Sequence, residues 1–491
     1  MGLGRKLAVA AVAAVTLFTA APASAAPAAI DWKPCPTAPG VECGKLTVPL
    51  DWDRPGDGTI QLALARRKAT DPAHRIGSVL MDPGGPGGAG AGEVQSGWSL
   101  SPKVAARFDT VGFDPRGVGE STAIQCGLDE ITAKNPVLPK DSGEFQQLLA
   151  YNRALGRSCD RITGPLASRS DTRSVVRDMD AIRAALGDQK LTYYGVSYGT
   201  LMGQQYAEAY PDRVRALVLD SNMDHSIRGT WEFLRAETQA TQELFEQFTG
   251  WCDRTTSCAL HGQNVRAVVA DLYARAERGE LGTPDDRLDP MAFVGLVSRN
   301  FYGPTWDKLA KSLVDLRAGK PAAAAFAKDD LPIPDPFASI FCSDWRLPID
   351  SYSQLEHYRR ALSRVSPDLH FSPLGWTAAA GCAGWPSPVR NPQHPLSIRP
   401  GVPMLILNSR YDPATPYSWA VRAAQQSGAP LLTYEGWGHG AYFKKSQCVT
   451  DAADAFLMDA AFPGRGKHCP AVEPEVQSRM DGVRPPITQL Y

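Results

Sequence analysis

The sequence predicts an α/β protein: a mostly parallel sheet covered by helices on both faces, interrupted by a long helical insertion. Three observations predict it. Between residues 44 and 220, short β-branched and aromatic runs alternate with segments of helical period. Strand-like texture then disappears and resumes only near residue 402. At the junction of one strand-like and one helix-like segment stands Gly195-Val196-Ser197-Tyr198-Gly199, a G-x-S-x-G pentapeptide. Apolar strands alternating with helices argue for a parallel sheet buried on both sides.

The N-terminus is expected to lie outside the fold. Arg5 and Lys6 precede an apolar run over residues 7–20, and Ala23-Ser24-Ala25 follows. A basic start, a short apolar stretch and a small-x-small site read as an export signal over residues 1–25, cleaved after Ala25. The run is too short to span a bilayer. No Cys follows the cleavage point, so no lipid anchor is expected, and the protein is expected to be secreted and extracellular.

Residues 26–222 form the first part of the expected core. Residues 76–81 and 108–113 read as strands. Val175, Met179, Ile182 and Leu186 recur at helical spacing over residues 174–186. Residues 191–194 read as a strand, 200–210 as a helix ending at Pro211, and 214–219 as a strand stopping at Asp220. Residues 223–398 read as the helical insertion, with helices over 231–248, 265–278 and within 292–317. Pro- and Gly-rich stretches at 330–336 and 383–401 punctuate it. Residues 399–470 return to the core, with strands at 402–407 and 431–434 and helices at 417–426 and 449–460. Residues 471–491 read as a tail.

The chain has 491 residues, 43% of them hydrophobic and 21% charged, and a formal net charge of −1. That is ordinary for a globular protein and points to neither nucleic acid nor an anionic membrane as partner. The ten cysteines agree with export. Their spacing suggests pairing between sequence neighbours: Cys35 with Cys43, Cys126 with Cys159, Cys252 with Cys258, Cys342 with Cys382, and Cys448 with Cys469. No C-x-x-C pair occurs and the histidines are not clustered with the cysteines. No metal and no cofactor is expected.

A strand, a tight turn and a helix around G-x-S-x-G would lift the Ser197 hydroxyl out of the sheet above a helix N-terminus. A serine hydroxyl is a weak nucleophile until a base accepts its proton. The order Ser, acid, His is met by two late loops. Ser409-Arg410-Tyr411-Asp412-Pro413 follows one strand, and Gly436-Trp437-Gly438-His439-Gly440 follows the next. His439 is the expected base and Asp412 the group that orients it, with Asp220 as the rival acid. The amide of Tyr198 is one expected oxyanion donor. The glycine-rich loop Asp82-Pro83-Gly84-Gly85-Pro86-Gly87-Gly88 offers the second, from Gly85, because Pro86 has no N–H.

Together G-G-P-G-G at 84–88, D-P-R-G-V-G-E-S at 114–121, G-V-S-Y-G at 195–199, S-R-Y-D-P-A-T-P at 409–416 and G-H-G at 438–440 resemble the prolyl aminopeptidase branch of the α/β-hydrolase fold. The resemblance is strongest to secreted bacterial tripeptidyl aminopeptidases and covers roughly residues 40–470. It implies a serine exopeptidase that removes short peptides, often tripeptides, from free N-termini, with a helical cap between core strands. By residue match it implies Ser197, Asp412 and His439 as the triad, and structural roles for Asp114 and Arg116. One departure is Asp82-Pro83, where many relatives carry His-Gly. An aminopeptidase must also bind the substrate ammonium, and Glu232, Glu237 and Asp344 are the candidate carboxylates. A secreted carboxylesterase with the same triad is the alternative. A binding protein on an inactive hydrolase scaffold would lack a triad member, and none is lacking.

Overall fold

The computed structural model describes residues 1–2, 29–133, 135–283, 286–320, 336–464 and 466–474. The expected export signal, beyond its first two residues, and the tail beyond residue 474 lie outside the described residues.

The strands are β1 (Lys33–Pro34), β2 (Glu42–Pro49), β3 (Thr59–Arg67), β4 (Gly77–Asp82), β5 (Phe108–Phe113), β6 (Leu191–Val196), β7 (Val214–Asp220), β8 (Gly282–Thr283), β9 (Asp286–Arg287), β10 (Met404–Tyr411), β11 (Leu431–Trp437) and β12 (His468–Cys469). Ten of them form one sheet in the order β1-β2-β3-β5-β4-β6-β7-β10-β11-β12. From β5 through β12 all neighbours are parallel. The β1, β2 and β3 edge is antiparallel. β8 and β9 pair with each other as a small hairpin.

Every residue of β4, β5 and β6 is buried, because helices cover both faces. Successive side chains point to opposite sides. Leu80, Tyr193, Leu217 and Ile406 join one core, and Val79, Tyr194, Val218 and Leu407 join the other. Helices Thr172–Ala185 and Tyr198–Ala209 cover the first face. Helices Gly90–Gln95, Pro102–Arg107 and Gln447–Asp459 cover the second.

Two local findings go beyond the sequence pattern. The antiparallel β1-β2-β3 edge is an addition to the strands expected from the sequence; β2 alternates exposed and buried residues between β1 and β3. Helical texture over residues 292–317 is broken into Pro290–Tyr302 and Trp306–Arg317. Gly303-Pro304 separates them, since proline removes a donor and disfavours helix in the residue before it.

Among the described residues between β7 and β10, the regular structure apart from the β8/β9 hairpin is helical, and its side chains extend the first core. Side chains of Asn264, Asp289, Ser351 and Ser372 accept from the first turns of four of its helices, satisfying amides that have no partner inside the helix. In the sheet domain, Arg116 is wholly buried and holds Asp178 through two bonds of 2.7 and 2.6 Å. It also donates to the carbonyls of Pro49, Leu50 and Arg169. Asp114 accepts from Ala91 and Glu120 amides. Both residues therefore build the fold.

The cysteines form Cys35–Cys43, Cys126–Cys159, Cys252–Cys258, Cys342–Cys382 and Cys448–Cys469. These are the neighbour pairs that the spacing suggested, and none is left free. Among the described residues no helix is long and apolar enough to cross a membrane. A thiol titration of the exported protein in denaturant without reductant is expected to find no free thiol. Two or more reactive thiols per chain would contradict the five-bridge framework.

Candidate active site

The C-terminal ends of β4, β6, β7, β10 and β11 point the same way, and the sequence-predicted residues follow them. Ligands of such sheets bind beyond the carboxyl ends of the strands. Asp82 ends β4, Ser197 follows β6, Asp220 ends β7, Asp412 follows β10 and His439 lies two residues after β11.

Ser197 has φ 57° and ψ −124°, on a non-glycine residue, directly before helix Tyr198–Ala209. Such a conformation costs on the order of 1–3 kcal/mol and persists only where the surroundings over-determine it. Here the Ser197 amide donates to the Asp220 carbonyl at 3.0 Å. The Ser197 carbonyl accepts from the Thr200 amide at 2.9 Å and from Thr200 Oγ1 at 2.6 Å. A Cβ on Gly195 would lie 2.6 Å from the Gly199 carbonyl, so the turn closes only with glycine there.

Asp412 and His439 are in direct contact. His439 Nδ1 lies 2.9 Å from Asp412 Oδ1 and 3.1 Å from Oδ2. An ionised carboxylate only accepts, so the imidazole proton sits on Nδ1 and Nε2 is left as the basic nitrogen. Asp412 also accepts from the amides of Ala414 and Thr415 and from Ser221 Oγ. Burial by itself raises its pKa; the neighbouring His439, Ser221 and Thr415 outweigh burial and hold it below the usual carboxylate value.

Asp220 is not the orienting acid. Its carboxylate accepts from the amides of Ala441 and Tyr442 and from Tyr194 OH. It braces the loop after His439 rather than the imidazole. Ser221, which sequence reasoning missed, completes the brace: its Oγ donates to Asp412 and accepts from the Gly440 amide at 2.7 Å. Its φ of 60°, directly after β7, marks it in the structure, where no sequence motif does.

The glycine loop lies against the turn at Ser197. A Cβ on Gly84, whose φ is +89°, would come within 2.7 Å of the Tyr198 amide nitrogen and 3.0 Å of Ser197 Cβ. Only a residue without a side chain permits that approach. Tyr198 is the first residue of its helix, so its amide has no acceptor inside the helix. The Gly84 backbone therefore lies directly against the Tyr198 amide.

The helical segment supplies one further neighbour that the sequence did not reveal, Tyr302, which meets Lys444 from the loop after β11. The Tyr302 carbonyl accepts from the His439 amide at 2.9 Å and from Lys444 Nζ at 2.7 Å. The Tyr302 ring meets the imidazole edge-on at 5.5 Å. Burial pulls the Lys444 ammonium down to about 8, against the opposing pull of Asp412 and Asp220. A cavity of about 420 Å³ opens beside Tyr302 and Pro413, walled by Met291, Phe337, Ser372 and Leu374.

The three candidate ammonium ligands separate. Asp344 is fully buried, and its oxygens accept from Thr172 N and Oγ1, Tyr198 OH and Asn391 Nδ2. Burial and Asp171 raise it to about 7. It ties the helical segment to the turn helix and offers no free oxygen to a substrate. Glu232 accepts from the Arg228 amide and pairs with Arg422 at 2.5 Å, apart from the cavity. Glu237 is buried behind the cavity wall, where Ser372 Oγ donates to it at 3.2 Å. Burial raises it well above the usual value, and Asp412 nearby adds to that. Among the described residues no cluster of His, Cys, Asp and Glu is arranged to hold a metal.

Asp344→Ala is expected to lower the melting temperature strongly, because each buried group left unpaired costs about 1–3 kcal/mol. It is expected to lower kcat/KM equally on free and N-acetylated peptides. A selective loss on free peptides would return Asp344 to the substrate site.

Similarity to known proteins agrees with this geometry. Residues 370–469 match a family model described as TAP-like protein. The chain is 32% identical over 475 residues to the serine protease Hip1 of Mycobacterium tuberculosis, spanning 90% of this chain and 91% of the relative. It is 30% identical to the tripeptidyl aminopeptidase of Streptomyces coelicolor, spanning 91% and 87%. It is also 30% identical to carboxylesterase B of M. tuberculosis, spanning 87% and 86%. Sequence similarity over nearly the whole chain, with a serine-bearing turn on a mostly parallel sheet, shows that this chain belongs to the tripeptidyl-aminopeptidase-like family of α/β-hydrolase-fold serine hydrolases.

Proposed function

We propose that this protein is a secreted serine exopeptidase that hydrolyses peptide bonds near free N-termini and releases tripeptides, with Ser197, His439 and Asp412 as its triad. The observation that carries the reading is the Asp412–His439 hydrogen bond at the same sheet edge as the strained Ser197. His439 Nε2 takes the Ser197 proton as Oγ attacks the scissile carbonyl carbon. Asp412 keeps the proton on Nδ1 and stabilises the imidazolium. The Tyr198 and Gly85 amides receive the oxyanion. Collapse of the tetrahedral intermediate passes the proton to the leaving amine, and water, activated by the same imidazole, hydrolyses the acyl-enzyme.

Glu237 is the proposed ammonium ligand. It lies behind Ser372 at the cavity wall, in a low-dielectric setting where an incoming cation is held strongly. Pairing with the substrate ammonium would favour its ionised form. The tripeptide length rests on the resemblance to the Streptomyces enzyme. Five disulfides fit an oxidising, extracellular compartment.

The second reading is ester hydrolysis. The largely apolar cavity wall and the carboxylesterase relative favour it. One panel separates the two: Ala-Pro-Ala-p-nitroanilide, its N-acetylated form and p-nitrophenyl butyrate, each with wild type and Ser197→Ala. The expected result is rapid cleavage of the free peptide, weak cleavage of the acetylated one, and loss of at least about 10⁴-fold in Ser197→Ala. Ester turnover with neither peptide cleaved would replace the peptidase reading by the esterase one.

Glu237→Gln is expected to lower kcat/KM on the free peptide by about 10- to 100-fold, the worth of one charged hydrogen bond. The acetylated peptide should change less than about threefold. Equal losses on both would remove Glu237 from the ammonium site.

A further inference from the structure

The departure at Asp82 acquires a role in the structure. Asp82 is fully buried at the end of β4, at the base of the glycine loop. Its Oδ1 accepts from the Gly84 amide at 2.8 Å. Its Oδ2 is buried and has no hydrogen-bond partner among the described residues. Among the described residues no cation pairs with it; the charged or titratable groups that act on it are the Asp114 carboxyl from the loop after β5 and the Tyr193 phenol from β6. Tyr193 OH donates to the Gly199 carbonyl instead. A Cβ on Gly199 would lie 2.9 Å from Asp82 Oδ1, so the carboxyl also abuts the helix that follows Ser197.

An ionised carboxylate with one bare oxygen in such a place is strongly disfavoured. It would also set a negative charge one hydrogen bond away from the backbone that must receive the oxyanion. Like charges in a low-dielectric site repel strongly, and oxyanion stabilisation depends on dipoles aimed at the developing charge. A neutral carboxylic acid removes the charge, exchanging it for the smaller cost of a buried O–H without an acceptor, and keeps Oδ1 as the acceptor for Gly84. Gly84 in turn sets the course of the chain into Gly85.

We propose that Asp82 is a positioning residue of the oxyanion loop: as a neutral acid it anchors the Gly84 amide and keeps negative charge away from the developing oxyanion. The proposal rests on the reading of the Gly84-Gly85 loop as half of an oxyanion hole. Burial, reinforced by Asp114, pushes its pKa up to about 8, so the neutral form prevails at neutral pH and is lost above it. The unfolded chain releases this proton near pH 4 and the folded one near pH 8. Rising pH across that window therefore removes stability, and ionisation at its upper end opposes catalysis.

The test uses p-nitrophenyl butyrate, which has no amine of its own to titrate, from pH 6 to 9.5. Wild type, Asp82→Asn and Asp82→Ala are compared, with Ser197→Ala as the background. Wild-type kcat is expected to fall several-fold between pH 7.5 and 9. Asp82→Asn keeps an acceptor oxygen without an ionisable proton, and its kcat should fall at least threefold less over that range. At pH 6.5, Asp82→Ala is expected to lose about 10- to 100-fold in kcat with KM within about twofold, the scale of weakening one oxyanion donor. Asp82→Asn should restore most of that loss. Parallel alkaline limbs in wild type and Asp82→Asn would overturn the proposal, as would a loss in Asp82→Ala that Asn does not rescue. If Asp82→Ala fails to fold, the comparison of alkaline limbs still decides. Ester turnover surviving in Ser197→Ala would instead overturn the triad reading itself, whatever the Asp82 variants do.

Discussion

Asp220 joins the two halves of the site. Its carbonyl holds the Ser197 amide, and its carboxylate holds the amides of Ala441 and Tyr442 just beyond His439. The next residue, Ser221, bonds both Asp412 and the Gly440 amide. Two consecutive residues at the end of one central strand thus bind the Ser197 turn, the Asp412 loop and the His439 loop. Segments about 200 positions apart in the chain meet on that strand because β7 lies between β6 and β10 in the sheet. The strained φ of Ser197 is tolerable only because its amide and carbonyl are both fixed in this way.

The helical segment does more than roof the sheet. The carbonyl that ends helix Pro290–Tyr302 receives the His439 amide and the Lys444 ammonium together. A helix C-terminus favours a nearby cation, so the contact suits both partners. The same helix walls the large cavity through Met291 and Tyr302. A shift of this helix would therefore move the cavity wall and the His439 loop as one unit. Asp344 forms a second tie, from the helix Phe337–Asp344 to Tyr198 and to the start of helix Thr172–Ala185.

Buried acids in this protein differ in charge because they differ in partners. Asp412 has two backbone amides, a hydroxyl and an imidazole, and its pKa is lowered in spite of burial. Asp82 has one amide and no cation, and its pKa rises to about 8. Asp344 accepts four hydrogen bonds, yet burial beside Asp171 still raises it to about 7. Glu237, with a single hydroxyl partner, is raised well above its usual value. Desolvation pushes each of them the same way; the supply of donors and positive charge decides the outcome.

Much of this was legible in the chain. The fold class followed from apolar strands alternating with amphipathic helices, because burial on both faces imposes that pattern locally. That Ser197, Asp412 and His439 stand beyond strand ends was legible because each sits in a short turn after a strand, with glycine or proline beside it. The cysteine pairs were legible because each joins neighbours in the order of cysteines along the chain, 6 to 40 residues apart. The ammonium candidates were not: Glu232, Glu237 and Asp344 look alike as acidic residues on helices, and only packing separates a surface ion pair, a buried acid behind a cavity wall and a structural tie. Nor were Ser221, Tyr302 and Lys444 legible, since their contacts span more than a hundred residues or depend on a backbone carbonyl that any residue carries. Local pattern determined which elements form and that Ser197, Asp412 and His439 stand beyond strand ends. Tertiary packing alone decided which buried polar groups meet, because that depends on strand order and helix placement across the sheet rather than on sequence spacing.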